Sequence, residues 1–564
     1  MVAPLWADGE QRYDCDVGGD AMAGEGPQNN LSKDKKDEFN RRAAQSAPEL
    51  VIGLVGAIGT DLEAVSKVLS TALMAEAAYQ ARTIRLSSLL HEIEGLGVDL
   101  NSKGDKLSYY EKHMEAGTKL RQMMGRADAM AWLALSAIRQ ARDELLMADR
   151  RNGRRAYILH SLKRREEVES LRKIYGPAFF LMSAYAPRDK RVDKLTRSIS
   201  ESRGQRRPMD MRSEAEALVR TDERELDEPM GQDVQRAFPE ADVFIDATNP
   251  REMDRSIRRF VRLIFGHPFH TPTQSEWGIF FAKAAAMRSA ALGRQVGSAI
   301  TTPTGELLAV GTNEVPKAGG GLYWEGDEPD GRDFVGGVDT SDRHKHDLIS
   351  ELLRLLQEKQ WLSDAYRTMD VQELRTQVLK KDAEGTGPWR DSRVTNLIEF
   401  MRPVHAEMAA LMEAARRGVS VQGSVMYVTT FPCHECARHI IAAGISRVVY
   451  VDPYPKSLAA DLYSDSVSLE GSEGGSTGKV IFSPFVGVAP RRYMEFFELK
   501  GERKDKDGSV VAWVPTEVVP KHPGNYTVYR AMEVEHLGRF ASIVERIGLN
   551  FRTAVEPGEE DSSE

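Results

Sequence analysis

Tyr427-Val-Thr-Thr-Phe-Pro-Cys433-His-Glu-Cys436 reads as a buried strand that passes through a proline into the first turn of a helix. The run from Ser424 to Thr430 has strand composition, and Pro432 suits a helix start because its missing N–H costs nothing there. Cys433 and Cys436 are three apart, so on a helix they share a face about one turn from each other. The positive end of the helix dipole also favours their thiolate forms. Working outward, a helix from about 405 precedes this unit and a strand from Arg447 to Val451 follows it. Further upstream, a helix expected over Phe280 to Arg294 leads into Gly297-Ser-Ala-Ile-Thr-Thr, a turn at Pro303-Thr-Gly305 and a strand from Leu307 to Thr312, which is a hairpin pattern. Residues 317–395 interrupt the pattern as an insertion, a Gly-rich loop followed by charged helical stretches.

The front of the chain opens on Glu49-Leu-Val-Ile-Gly-Leu-Val-Gly56, a short apolar run ending in glycines, then a helical stretch from Leu62 to Gln80. Apolar runs recur at Tyr157-Ile-Leu, Ala178-Phe-Phe-Leu-Met-Ser and Asp242-Val-Phe-Ile-Asp246, with helical patterns between them. Strands alternating with helices predict a parallel sheet covered on both faces. The expected organisation is a lead at 1–47 too polar to order, a P-loop kinase-like parallel-sheet domain at 48–270, an α/β/α domain at 275–550 and an acidic tail at 551–564. The polar stretch Lys190 to Arg212 reads as a mobile loop or lid, and Arg203 to Arg207 within it as a contact for an inhibitory RNA.

Gly53, Gly56, Gly59 and Thr60 are the candidate nucleotide-binding residues of the front domain. The loop departs from G-x-x-x-x-G-K-[ST] in both registers. From Gly56, Asp61, Leu62 and Glu63 stand at the last three positions; from Gly53, Ile58, Gly59 and Thr60 do, which recovers only the hydroxyl. No lysine of this loop reaches a phosphate, and Asp61 and Glu63 repel one. The expectation is a degenerate, regulatory module without kinase or ATPase activity.

Bulk properties set the frame. The chain has 564 residues, 41% hydrophobic and 29% charged, with net charge −9. An acidic whole argues against an extended nucleic-acid-coating surface but is compatible with a local phosphate pocket. No run of about 18 apolar residues and no basic stretch followed by an apolar h-region is present, so a cytoplasmic protein without a membrane span is expected. Only three cysteines occur, Cys15, Cys433 and Cys436, which excludes a disulfide framework and leaves Cys-x-x-Cys as metal or redox chemistry.

Upstream of the two cysteines stands His405-Ala-Glu407. Together they give H-x-E…P-C-x-x-C, the pattern of zinc deaminases. One imidazole and two thiolates are the three protein ligands of a catalytic zinc, which keeps its fourth position for water and lowers that water's pKa from about 15.7 to roughly 7. A structural zinc wants four protein ligands, and the sequence has one other cysteine, far away. Residues two apart point to different sides in a helix interior, so His405 and Glu407 work best at the first turn. Glu407 is the expected proton shuttle, loading N3 of a cytosine and later the departing ammonia.

At these residues the chain resembles the deoxycytidylate deaminase family, over roughly Trp277 to Val488 without the insertion. Arg294-Gln-Val-Gly-Ser-Ala-Ile, Gly311-Thr-Asn313 and Tyr427-Val-Thr-Thr-Phe-Pro-Cys433 carry the likeness. The resemblance implies a cytidine-deaminase-like α/β/α fold, a Zn2+ ion on His405, Cys433 and Cys436, and an Asn313 that contacts the sugar of a deoxycytidine nucleotide. With the front half, the chain resembles the two-domain bacterial anti-phage deaminases. That implies conversion of dCTP or dCMP to dUTP or dUMP, which depletes a phage of a precursor, in a homo-oligomer. Asp452-Pro-Tyr-Pro-Lys-Ser457 and Pro484-Phe-Val-Gly-Val-Ala-Pro-Arg-Arg-Tyr493 fit this group. Tyr454 is then a candidate to lie against the base, and Lys456, Arg491 and Arg492 to neutralise phosphates. Two other readings stand beside it: a polynucleotide deaminase that flips a base from a single strand, and a non-catalytic nucleotide sensor whose zinc staples the fold.

Overall fold

A computed structural model of the chain describes residues 48–148, 153–204, 211–225, 228–380, 389, 392–453, 457–469 and 478–551. The expected lead with Cys15, all of the tail after Phe551, and the candidates Tyr454 and Lys456 lie outside the described residues.

The first unit is built on five parallel strands, β1 (Leu50–Val55), β2 (Gln80–Arg85), β4 (Arg155–His160), β5 (Phe179–Tyr185) and β6 (Val243–Asp246). The short β3 (Ile93–Glu94) lies between β2 and β4 in sequence and outside this sheet. Across the sheet the order is β2-β4-β1-β5-β6. β1 is apolar at every position but one because it is buried on both faces. Val51 and Val55 enter one core, while Leu50, Ile52 and Leu54 enter the other. Helix α1 (Leu62–Ala77) follows β1, capped by the Asp61 carboxylate on Ala64 N, and stops at Ala78, short of the expected Gln80, where the backbone turns left-handed. The Ala-rich α2 (Ala129–Ala148) packs under the other face.

One expectation for this unit needs correction. Residues from Arg188 to Ser202 form a helix, α3, and not a mobile loop. Val192, Leu195 and Ile199 are buried against Leu107 and Leu218, a helical stripe that the twelve charged or hydroxyl residues of the same helix obscure in the sequence. At its end Arg203 donates to Asp105 (2.8 Å), so its guanidinium is already engaged, and Gln205 to Arg207 lie outside the described residues. Helix α4 (Arg212–Glu223) closes this layer, and α5 (Pro250–Ile264) covers the face opposite α2.

The second unit begins with α6 (Gln274–Ala286), which starts six residues before the expected Phe280 and ends well before Arg294. Thr273 and Glu276 form a reciprocal capping box that sets the start. The hairpin β7 (Gly297–Thr301) and β8 (Leu307–Thr312) forms as expected and continues into β9 (Val425–Thr430), β10 (Arg447–Asp452), β11 (Val467–Leu469) and β12 (Val480–Pro484). The sheet order is β11-β12-β10-β9-β7-β8, with β9 to β11 parallel. Within the insertion, α7 (Thr340–Glu358) packs on Val371–Leu379 through Ile349, Leu353 and Leu374. Helices α8 (Ala406–Arg416) and α9 (His434–Ala442) lie on one face of the sheet and α6 on the other.

The chain then returns to the first unit, which moves the expected boundary of the second domain from 550 to about 485. β13 (Gly487–Val488) pairs with β6, α10 (Tyr526–Arg546) packs on α2, and β14 (Asn550–Phe551) pairs with β3. Tyr529, Phe540, Val544 and Leu549 belong to the first unit's core. Such pairings over hundreds of residues leave no local pattern to read. Among the described residues no helix is long and apolar enough to cross a membrane.

Candidate metal centre and its cavity

His405 is the N-cap of α8 and Glu407 stands in its first turn; Cys433 is the N-cap of α9 and Cys436 its third residue. The two helix starts meet over the ends of β8 and β9. Close approach of α8 to β8 needs Gly311, where a Cβ would lie 2.1 Å from the Ala406 carbonyl oxygen. The donor atoms of His405, Cys433 and Cys436 all lie within 4.8 Å of one another. His405 Nδ1 is 3.2 Å from Cys433 Sγ and 3.3 Å from Cys436 Sγ. A tetrahedral zinc with ordinary bond lengths separates N and S by about 3.6 Å, so these donors fit zinc within a few tenths of an ångström.

The electrostatics suit a cation. The Cys433 thiol is pushed down to about 4, chiefly by the hydrogen bond from Cys436 and then by His405. The His405 imidazole is raised by its hydrogen bond to Cys433. The backbone N–H of Cys436 also points at Cys433 Sγ, at 3.5 Å. Glu407 is only 4% exposed, and burial, helped by the Cys433 charge, pushes its carboxyl up to about 7. A carboxyl poised there can accept and release a proton near neutrality.

Three of these side chains, His405, Glu407 and Cys433, open on a cavity of about 250 Å³ that Asn313, Arg294, Thr430 and Phe431 also line. Asn313 is buried, its Oδ1 accepting from Val296 N (2.7 Å) and its Nδ2 donating to the Arg294 carbonyl (2.8 Å). It therefore shapes the wall as well as facing the cavity. Sequence reasoning passed over Ser341 and Lys345, which the insertion folds onto this same cavity. The signal was there: Asp339-Thr-Ser-Asp342 is a helix start, and residues 341 and 345 share its face.

Arg491 and Arg492 are elsewhere. Arg491 donates to Glu240 (3.1 Å), and Arg492 donates to Asp242 (3.1 Å) and pairs with Glu495. Both are engaged by carboxylates beside β6 and are absent from the cavity lining, so in place of the expected phosphate contact they hold the returning chain to the first unit. Only acidic partners distant in sequence make this so.

The glycine loop of the first unit is a second candidate site. Gly56, Gly59 and Thr60 line a cavity of about 400 Å³ at the C-terminal ends of the strands. Gly53 does not. It sits inside β1, where a Cβ would meet Leu162 Cδ1 at 2.6 Å, so it is a packing glycine. Across the loop, the buried Asp222 carboxylate accepts from Ile58 N (2.6 Å) and from Lys163 Nζ (2.6 Å). A side-chain anion thus takes a backbone donor that such loops otherwise aim at phosphate. Gly59, at φ +88°, has Arg191 of α3 so close that a Cβ would lie 2.7 Å from its carbonyl oxygen. We expect no ATP or GTP hydrolysis from this loop. Phosphate release that disappears on changing Gly56 or Thr60 would overturn that expectation.

Comparison with known proteins bears on the second unit. The deoxycytidylate deaminase of Enterobacteria phage T2 is 46% identical over 54 residues, 10% of this chain and 29% of the phage protein. The deoxycytidylate deaminase of Homo sapiens is 32% identical over 108 residues, 19% of this chain and 51% of the human protein. The chain spans about half or less of the length of these curated relatives. Among solved structures, the dCMP deaminase of cyanophage S-TIM5 in complex with dCMP and dUMP is similar over 38% of this chain and 99% of that one, at 16% identity and a TM-score of 0.20. Residues 272–452 match the zinc-binding region of the cytidine and deoxycytidylate deaminases.

Proposed function

We propose that the protein is a zinc-dependent hydrolytic deaminase of deoxycytidine nucleotides, dCMP, dCTP or both. One observation carries the reading: two helix starts bring one imidazole and two thiols within 4.8 Å of one another, beside a buried carboxyl that shares a cavity with His405 and Cys433. Zinc, when bound, supplies the Lewis acidity that brings water's pKa into the neutral range. The chain does the rest. Glu407 holds a proton for N3 of the pyrimidine and returns one to the departing amine, so that water and cytosine leave as ammonia and uracil. Asn313 fixes the cavity wall against which the sugar rests. A staple-only zinc would have no use for a buried carboxyl beside three ligands, which disfavours the sensor reading.

The first unit, in this proposal, is a degenerate P-loop kinase-like module that regulates the deaminase. Its strand order and its glycine loop support the likeness, and Asp222 in the loop supports the loss of phosphate chemistry. The reading extends to anti-phage depletion of dCTP by a homo-oligomer, supported by the union of the two units in one chain. The test is direct. Zinc-loaded protein incubated with each cytosine nucleotide and nucleoside, and with a cytosine-containing oligonucleotide, is expected to yield uracil products and ammonia from deoxycytidine nucleotides. Product from the oligonucleotide alone would favour the polynucleotide reading, and no product from any would sink the proposal.

A further inference from the structure

We propose that the N-terminal turn of α7, in the insertion, is the phosphate end of the substrate cavity, with the Ser341 hydroxyl and the Lys345 ammonium as its ligands. This rests on the deaminase reading, and deepens it by assigning the nucleotide's phosphate to residues of the insertion.

Ser341 is 6% exposed, lines the cavity that holds His405 and Glu407, and its Oγ has no hydrogen-bond partner among the described residues. A buried hydroxyl left unpaired is costly, so its natural complement is a polar group of a ligand in that cavity. It sits in the first turn of a 19-residue helix, where unpaired backbone N–H groups and the dipole favour an anion. Lys345 lies one turn further on and lines the same cavity. Its ion pair with Asp342 (2.8 Å) is to a carboxylate 63% exposed, a partner readily given up to water.

The other charges on the wall do not oppose an anion there. Asp333 is paired with Arg402 (2.6 Å), and Asp339 is committed to capping Asp342 N (3.1 Å). Arg294 adds a second cation to the lining. With the pyrimidine ring at the metal ligands, the 5′ substituent has to lie against the remaining polar wall, where Ser341, Lys345 and Arg294 stand beside Asn313, Thr430 and the two engaged aspartates. The metal ligands are common to every substrate with the ring; among the described residues of the cavity, this wall is the part that can sense the phosphate.

The experiment uses full-length, zinc-loaded Glu407→Gln protein, so that ligands bind without turnover. Calorimetry gives Kd for dCMP, dCTP and deoxycytidine, with and without Ser341→Ala plus Lys345→Ala. We expect the nucleotides to bind more tightly than deoxycytidine, and the two substitutions to cut that ratio at least tenfold, as for loss of charge-assisted hydrogen bonds. Lys345→Arg should keep most of the ratio. An unchanged ratio, an equal loss for all three ligands, or no preference for phosphate in the parent protein would each overturn the site. Failure of the deaminase reading is seen separately, as absence of ammonia from the wild-type protein, and leaves the binding ratio readable.

Discussion

Replacing Glu407 by glutamine is expected to lower deamination by roughly 10²–10⁴-fold, the usual range for a positioned acid–base group, while zinc content stays unchanged. The substitution keeps the shape of a side chain that is 4% exposed, so the cavity survives, but an amide cannot carry a proton between ring nitrogen and leaving amine. Cys436→Ala makes the contrast. It removes one of three donors held within 4.8 Å of one another, and zinc should be lost with the activity. Product formation measured beside metal content on the same preparations separates the two. Full turnover by the glutamine variant would remove Glu407 from the chemistry.

The second large effect concerns stability. Arg142 of α2, 1% exposed, donates to Glu49 ahead of β1 (2.9 Å) and to Glu533 of α10 (2.9 and 3.0 Å). The Tyr157 hydroxyl completes the Glu49 carboxylate at 3.1 Å. Arg142→Met strips two buried carboxylates of their shared guanidinium, leaving Glu533 only the part-exposed Arg530 (2.7 Å). Breaking a buried pair costs about 3–5 kcal/mol because the remaining charge keeps its desolvation penalty. We expect a fall of that size in denaturant-unfolding free energy, followed by fluorescence. Adding Glu49→Gln and Glu533→Gln should recover much of it, since a neutral trio has no stranded charge. A loss under about 1 kcal/mol for the single variant, at the weak end where exposed ion pairs lie, would show that the network is dispensable.

The chemistry of the metal centre was the most legible part of the sequence. His405, Glu407, Cys433 and Cys436 sit within a few residues of helix starts, and helix starts have local signatures that do not depend on the rest of the fold. The strands were legible for a related reason, since β1 and β9 are buried on both faces and read as continuous apolar runs. What local reading missed was made by distant partners. Arg491 and Arg492 resemble phosphate ligands until Glu240 and Asp242 are brought beside them. Asp222 looks like any helix-surface acid until Ile58 N meets it. Helix α3 was hidden by its own charges, and the insertion that carries Ser341 was set aside because it broke a pattern.

Glu276 ties together the two places where the chain crosses between units. Its carboxylate, wholly buried, accepts from Arg259 of α5 (2.7 and 2.8 Å), from Thr273 N on the way out (2.7 Å) and from Val488 N on the way back (2.8 Å). The half that holds the metal-ligand cluster is thus a guest spliced into its host, both of its doorposts nailed to one beam. A simple end-to-end gene fusion does not build such a molecule. Deleting everything past residue 485 strips the host of α10 and of the strands β13 and β14 while sparing every candidate metal ligand.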